Sequence, residues 1–224
     1  MTRRFTNEEH DVVTAAVAEA ERNTDSEIVT IVTTHSDHYH DVSLYYAAAM
    51  MLAALGVFAA FPGVLDAKLA LFTGGWGEAE RHLQFVLLVV VQAALFLIVR
   101  FGFEALPFRG VLIPSAVRGR RVRRRAVQFF KASAEKRTAA RVGVLLYLSL
   151  AEHRAEIVAD EAIVGKVDDG VWGEAMVALI DRIRAGDPAG GMADAVARIG
   201  TVLAQHFPKT ESDANELPDR LIEL

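Results

Sequence analysis

A chain of 224 residues with no cysteine excludes disulfides, thiolate metal sites and a cysteine nucleophile. Its 52% hydrophobic and 24% charged residues, at a mean hydropathy of +0.25, require the two classes to be segregated along the sequence. The formal net charge of −5 conceals a strong local asymmetry. The opening Met1 to Glu9 has no apolar core, so no cleavable signal peptide is expected.

Thr6-Asn7-Glu8-Glu9 is a capping box, in which the Thr6 hydroxyl accepts from the Glu9 amide and the Glu9 carboxylate reaches back to the Thr6 amide. Val13, Ala16, Val17 and Ala20 then form the apolar stripe of a helix that stops near Asn23. Glu27 to Thr34 is β-branched, bounded by polar residues, and reads as a buried strand. His35-Ser36-Asp37-His38-Tyr39-His40-Asp41 comes next, with three histidines and two aspartates in seven residues. These types ligate divalent metals such as zinc. The same stretch also serves as a polar interfacial connector, with Tyr39, Tyr45 and Tyr46 at headgroup level.

Two apolar runs dominate the middle of the chain. Val42 to Phe61 is twenty residues without a charge, about 30 Å as a helix and the thickness of a bilayer's hydrocarbon core. Leu83 to Val99 contains thirteen Leu, Ile, Val or Phe residues. Each favours insertion by roughly 0.3 to 0.6 kcal/mol, which outweighs Gln84 and Gln92. The first run holds seven alanines and inserts weakly alone, so the pair reads as a helical hairpin with spans at about 42–61 and 83–101. The alternative, two wholly buried helices of a soluble domain, predicts a polar stripe that neither run shows.

The connector Pro62 to His82 is glycine-rich and carries charges summing to −1. Beyond the second span come Arg100, Arg109, Arg118, Arg120, Arg121, Arg123, Arg124 and Arg125, against the single acid Glu104. The positive-inside rule makes that flank cytoplasmic, and two spans bring both termini to that same side of the membrane. Ser115 opens a helix with Val122, Ala126, Phe129 and Phe130 on one side and arginines on the other. Such a helix suits an anionic lipid surface, at roughly 1 kcal/mol per arginine. Nucleic acid is the rival partner, disfavoured because proximity to a span end already explains the charge.

Val142 to Leu150 is a second strand, apolar enough to be covered on both faces, and Ala155 to Ala159 a third. Only Ala151 to Arg154 separates them, so they pair antiparallel. A short helix over Glu161 to Lys166 precedes one from Asp169, expected to bury Trp172, Met176, Leu179, Ile180 and Ile183 before Gly186. The last is capped by Asp187 with Pro188 at its first turn, and buries Met192, Val196, Ile199 and Leu203. Glu211 to Leu224 reads as a polar, mobile tail. The chain thus divides into residues 1–41, a hairpin at 42–103, the remainder at 104–209, and a tail at 210–224.

Phe5-Thr6 with its helix, Thr24-Asp25-Ser26-Glu27-Ile28-Val29, Arg141-Val142-Gly143-Val144-Leu145, Leu148-Ser149-Leu150-Ala151-Glu152, Ile157-Val158-Ala159-Asp160 and Asn215-Glu216-Leu217-Pro218 together resemble the TPM-domain family. They are most similar to its bacterial membrane branch, in which a transmembrane hairpin interrupts the domain after its first strand. The resemblance implies an α/β fold, a three-layer α/β/α sandwich around a small mixed sheet. It also implies an acid-phosphatase label, divalent-cation binding (calcium, magnesium or manganese) in some members, and support of membrane complexes in others. No Asp-x-Asp, P-loop or paired-histidine phosphatase motif occurs, so phosphate-ester hydrolysis would need carboxylates and a metal.

If the first two strands are parallel, Asp25 and Glu27 share one sheet edge with Thr138, Arg141 and Asp160. Asp25, Glu27 and Asp160 are then candidate metal ligands, and Thr138 and Arg141 candidate ligand-binding groups. An ordinary ion pair closing the edge is the competing reading. Three functions remain: a membrane-anchored domain binding a cation or a membrane-protein partner, a metal-assisted phosphatase, and a lipid or nucleic-acid binder acting through the arginine helix.

Overall fold

The computed structural model describes residues 4–64, 67, 81–106, 112–133, 142–210 and 219–224. Its elements in chain order are α1 (Asn7–Glu21), β1 (Glu27–Thr33), α2 (His40–Ala60), α3 (Arg81–Ala105), α4 (Ser115–Ser133), β2 (Gly143–Ser149), β3 (Arg154–Ala159), α5 (Glu161–Val164), α6 (Asp169–Arg184), α7 (Pro188–His206) and β4 (Ile222–Glu223). They form two compact units, Met1–Asp37 with Pro114–Leu224, and His38–Ile113.

In the first unit the sheet order is β3-β2-β1-β4. β1 runs parallel to β2 from Glu27↔Gly143 to Thr33↔Ser149, and β3 returns antiparallel to β2, so the sheet is mixed. All seven residues of β1 and all seven of β2 are buried, because helices cover both faces and period-two alternation feeds two cores. Ile28, Val32, Val144, Leu146 and Leu148 face α1, α6 and α7, against Val13, Val17, Leu179, Met192, Val196 and Ile199. Val29, Ile31, Leu145 and Tyr147 face α4 through Val122, Ala126 and Phe130. The result is the three-layer sandwich.

Local chemistry fixes the helix ends. The Thr6–Glu9 capping box forms in both directions, at 3.2 and 2.8 Å. Asp187 accepts from the Gly190 amide with Pro188 in the first turn of α7. α6 ends on Gly186 at φ +86°, in the left-handed region that suits glycine. Where α1 crosses α7, a Cβ on Gly200 would lie 2.5 Å from that of Ala20, so the close approach requires glycine.

Two expectations need correction. The end of the chain is not a free tail: Leu221 is buried, and Ile222–Glu223 pair with Ile31–Val32 of β1 as a parallel edge strand. Two apolar residues in a polar stretch suffice once an open strand edge lies beside them. Residues 211–218 lie outside the described set. In α6, Ala175 and Leu179 carry the burial, while Trp172, Met176 and Ile183 are only partly buried, because this helix covers the rim of the sheet.

In the second unit α2 and α3 pack on one another, and both are long and apolar enough to cross a membrane, over His40–Ala60 and His82–Phe103. Only 17% and 6% of their apolar windows are buried, unlike the mostly buried core helix of a soluble fold. Tyr46 stacks on Phe103 at 5.6 Å and donates its hydroxyl to the Leu112 carbonyl at 2.8 Å.

Candidate functional site

The parallel β1–β2 register brings part of the expected edge together. Glu27 lies opposite Gly143 and donates its amide to the Val142 carbonyl at 3.0 Å. Asp160, at the end of β3, accepts from the Gly143 amide at 2.8 Å and donates its own amide to the Gly143 carbonyl at 3.0 Å. Glu27 and Asp160 therefore flank the same residue. Asp25 does not join them. Its carboxylate accepts from the Thr210 amide and hydroxyl, both at 2.7 Å, and these bonds hold its pKa below the usual range. Thr138 and Arg141 lie outside the described residues.

A group missed by the sequence reading supplies the main perturbation at this edge. The two residues of β4 pair with Ile31 and Val32 only, which leaves the Ile28 amide without a strand partner. The last residue of α1, Glu21, reaches over and accepts from that amide at 2.6 Å. Burial pushes the Glu21 carboxyl up to about 8 against that bond, and the negative fields of Glu27 and Asp219 add to the rise. Glu21 lines a cleft of about 290 Å³ with Glu27, Asp219, Ser26, Arg22 and Lys209. Ser26 is 2% exposed, and its hydroxyl oxygen meets no partner among the described residues. Nothing local marks Glu21, because its role depends on a strand edge left open nearly two hundred residues later in the sequence.

The opposite, C-terminal edge holds a second polar cluster. Glu152, 4% exposed, takes the Ser149 hydroxyl and, through its two oxygens, the Ser36 amide at 3.2 and 3.3 Å. The Ser36 hydroxyl bonds Tyr147 Oη at 2.9 Å, and burial raises the Tyr147 pKa. Next to it Arg121 pairs with Asp37 at 3.0 Å. This carboxylate ties the β2–β3 hairpin to the segment leaving β1, which is a structural task. The metal reading of His35 to Asp41 gains no geometric support, since among the described residues no three His, Asp or Glu side chains converge to hold a metal ion.

The family model for the TPM domain matches residues 105–202. This stretch of the chain carries a TPM domain. The matched stretch begins at the end of α3 and runs into α7, so it contains α4, β2, β3, α5 and α6. β1, which precedes the hairpin, joins the same sheet, and α1 packs on its face. The fold is similar to the NMR structure of the BA42 protein from the psychrophilic bacterium Bizionia argentinensis, with a TM-score of 0.57 and 17% identity over 100% of this chain and 98% of that one. At that identity the likeness concerns fold alone. No curated protein matches the chain in sequence.

The acidic cleft at the N-terminal edge of the sheet is built from residues on either side of the matched stretch, and its buried Ser26 hydroxyl meets no partner among the described residues. Glu21 and Glu27 with the Ser26 hydroxyl are oxygen donors of the kind a hard cation takes. Two carboxylates and a hydroxyl suit a cation that keeps several of its waters, and the raised Glu21 pKa means that such a cation must first displace a proton.

Proposed function

We propose that this protein is a membrane-anchored TPM domain whose acidic cleft binds a divalent cation, and that the bound state supports a membrane-protein complex. α2 and α3 supply the anchor as two spans, with the TPM domain and both termini on the cytoplasmic side. The observation that carries the cation reading is the cleft lined by Glu21, Glu27 and the partnerless Ser26 hydroxyl, where burial first, and the negative fields of Glu27 and Asp219 after it, raise the Glu21 pKa to about 8. A divalent ion relieves that repulsion and takes over the proton's role. Lys209 and Arg22 also line the cleft, and their charge is a cost that the ion's two carboxylate contacts must exceed.

The test is thermal unfolding of the full chain in detergent or nanodiscs at pH 8, with calcium, magnesium and manganese titrated in turn. Binding to the folded state raises the midpoint by an amount that grows with cation excess over its Kd. Wild type should respond and Glu27→Gln should not. Equal midpoints with and without all three ions in the wild type would refute the cation reading. Phosphate-ester turnover, the alternative that the family label carries, is measured on the same samples with the responding ion present.

A further inference from the structure

We propose that the outward face of α4 docks on anionic lipid headgroups by charge alone. Seven of the 24 basic residues and none of the 29 acidic ones lie in Ser115–Ser133. The apolar side of this helix is not available to a bilayer, because Val122, Ala126 and Phe130 pack on the sheet. Three of its cations are also engaged: Arg121 pairs with Asp37 at 3.0 Å, Arg123 with Glu156 at 3.3 Å, and Arg125 stacks over Phe129 at 4.7 Å.

Arg120, Arg124 and Lys131 are different. All three are exposed. At about 100° per residue they fall within roughly 40° of one another around the helix. Among the described residues no carboxylate pairs with any of them. A stripe of three solvated cations on a rigid, sheet-backed helix is complementary to a negatively charged plane.

The occupant is set by connectivity. Nine residues separate the end of α3 from the start of α4, a reach of at most about 30 Å at 3.4 Å per residue. With α3 across a bilayer, which rests on the function proposed above, α4 is held within that distance of the headgroups and meets them at high effective concentration. Single-stranded nucleic acid would need aromatic stacking platforms, and Phe129 and Phe130 are turned to the sheet.

The absence of cysteine makes the test direct. Ala116, exposed one turn before Arg120, is replaced by cysteine (A116C) in the full chain, and its labelling by a water-soluble maleimide is timed in nanodiscs. The discs contain phosphatidylcholine alone or mixed with phosphatidylglycerol. A cysteine at exposed Ala185 (A185C) serves as the control. In anionic discs A116C labelling should slow roughly fivefold, recover in about 0.5 M salt, and recover in the Arg120→Glu, Arg124→Glu, Lys131→Glu variant, whose melting confirms its fold. A185C should be unchanged throughout. Equal A116C rates in both lipids, or slowing that survives charge reversal, overturn the docking. Slowing by single-stranded RNA in neutral discs, with none from phosphatidylglycerol, assigns the face to nucleic acid and also overturns it. A chain that alkaline carbonate washes from the discs overturns the anchor, and with it the docking. A chain retained by the discs with unresponsive A116C overturns the docking alone.

Discussion

Two glutamates, one buried and one partly buried, sit at opposite ends of one sheet and are held in different ways. Glu152, at the C-terminal edge, is met by the Ser149 hydroxyl and the Ser36 amide. Glu21, at the N-terminal edge, receives the Ile28 amide but faces Glu27 and Asp219 across a cleft, and its pKa climbs to about 8. A buried carboxyl group whose lone pairs are met by donors is a structural tie, whereas one desolvated with like charges nearby keeps its proton to an unusually high pH.

The comparison breaks most visibly at Glu152. Glu152→Ala leaves the Ser36 amide and Ser149 hydroxyl without their acceptor in a buried setting, and should cost about 3 kcal/mol in urea unfolding. It should leave the pH dependence associated with Glu21 in place. A loss below about 0.5 kcal/mol would show that water replaces the tie.

Glu21→Gln should do the reverse. The folded-state pKa near 8 lies above the ordinary 4.5, so the folded chain holds the proton more tightly than the unfolded one. Its contribution to stability is complete below about pH 4.5 and is lost as pH rises through 8. The glutamine keeps the acceptor for Ile28 and never ionises. It should therefore remove this alkaline loss and exceed wild type by on the order of 2 kcal/mol at pH 9, the cleft's partial exposure being allowed for. Parallel stability profiles for the two proteins between pH 5 and 9 would contradict the raised pKa.

Gly200→Ala is a smaller and more selective perturbation. Its Cβ would press on Ala20, and the shift needed in α1 should cost about 1 to 2 kcal/mol. Because α1 ends in Glu21, the cleft's titration should move while the Tyr147 titration at the far edge should not. Asp25→Asn should have the least effect. Its depressed pKa makes the contribution present above about 3.8, and acid titration of stability should show it disappearing as pH falls below that value.

Much of the scaffold was legible because it is written locally. The Thr6–Glu9 box, the β-branched run of β1, the short hairpin link at 151–154 and Asp187-Pro188 each carry their own geometry in adjacent residues. The shared edge of Glu27 and Asp160 followed from strand direction. The pairing of Asp25 with Thr210, the Glu152 tie to Ser36, and β4 were not legible, because each joins distant segments of the chain; Glu21 bonds Ile28 only seven residues on, but its burial and its neighbour Asp219 come from the folded edge. The arginine helix was legible as amphipathic, but not in which side the sheet would take, and that choice decides how the helix can meet a membrane.

The most direct measurement is the carboxyl-carbon NMR titration of Glu21 in the full chain, with and without the divalent ion that stabilises it. The account predicts a midpoint near 8 in the cation-free protein, moving below neutrality when the ion is bound as the proton is displaced. A midpoint near the ordinary 4.5, or one near 8 that no divalent ion moves, would contradict it.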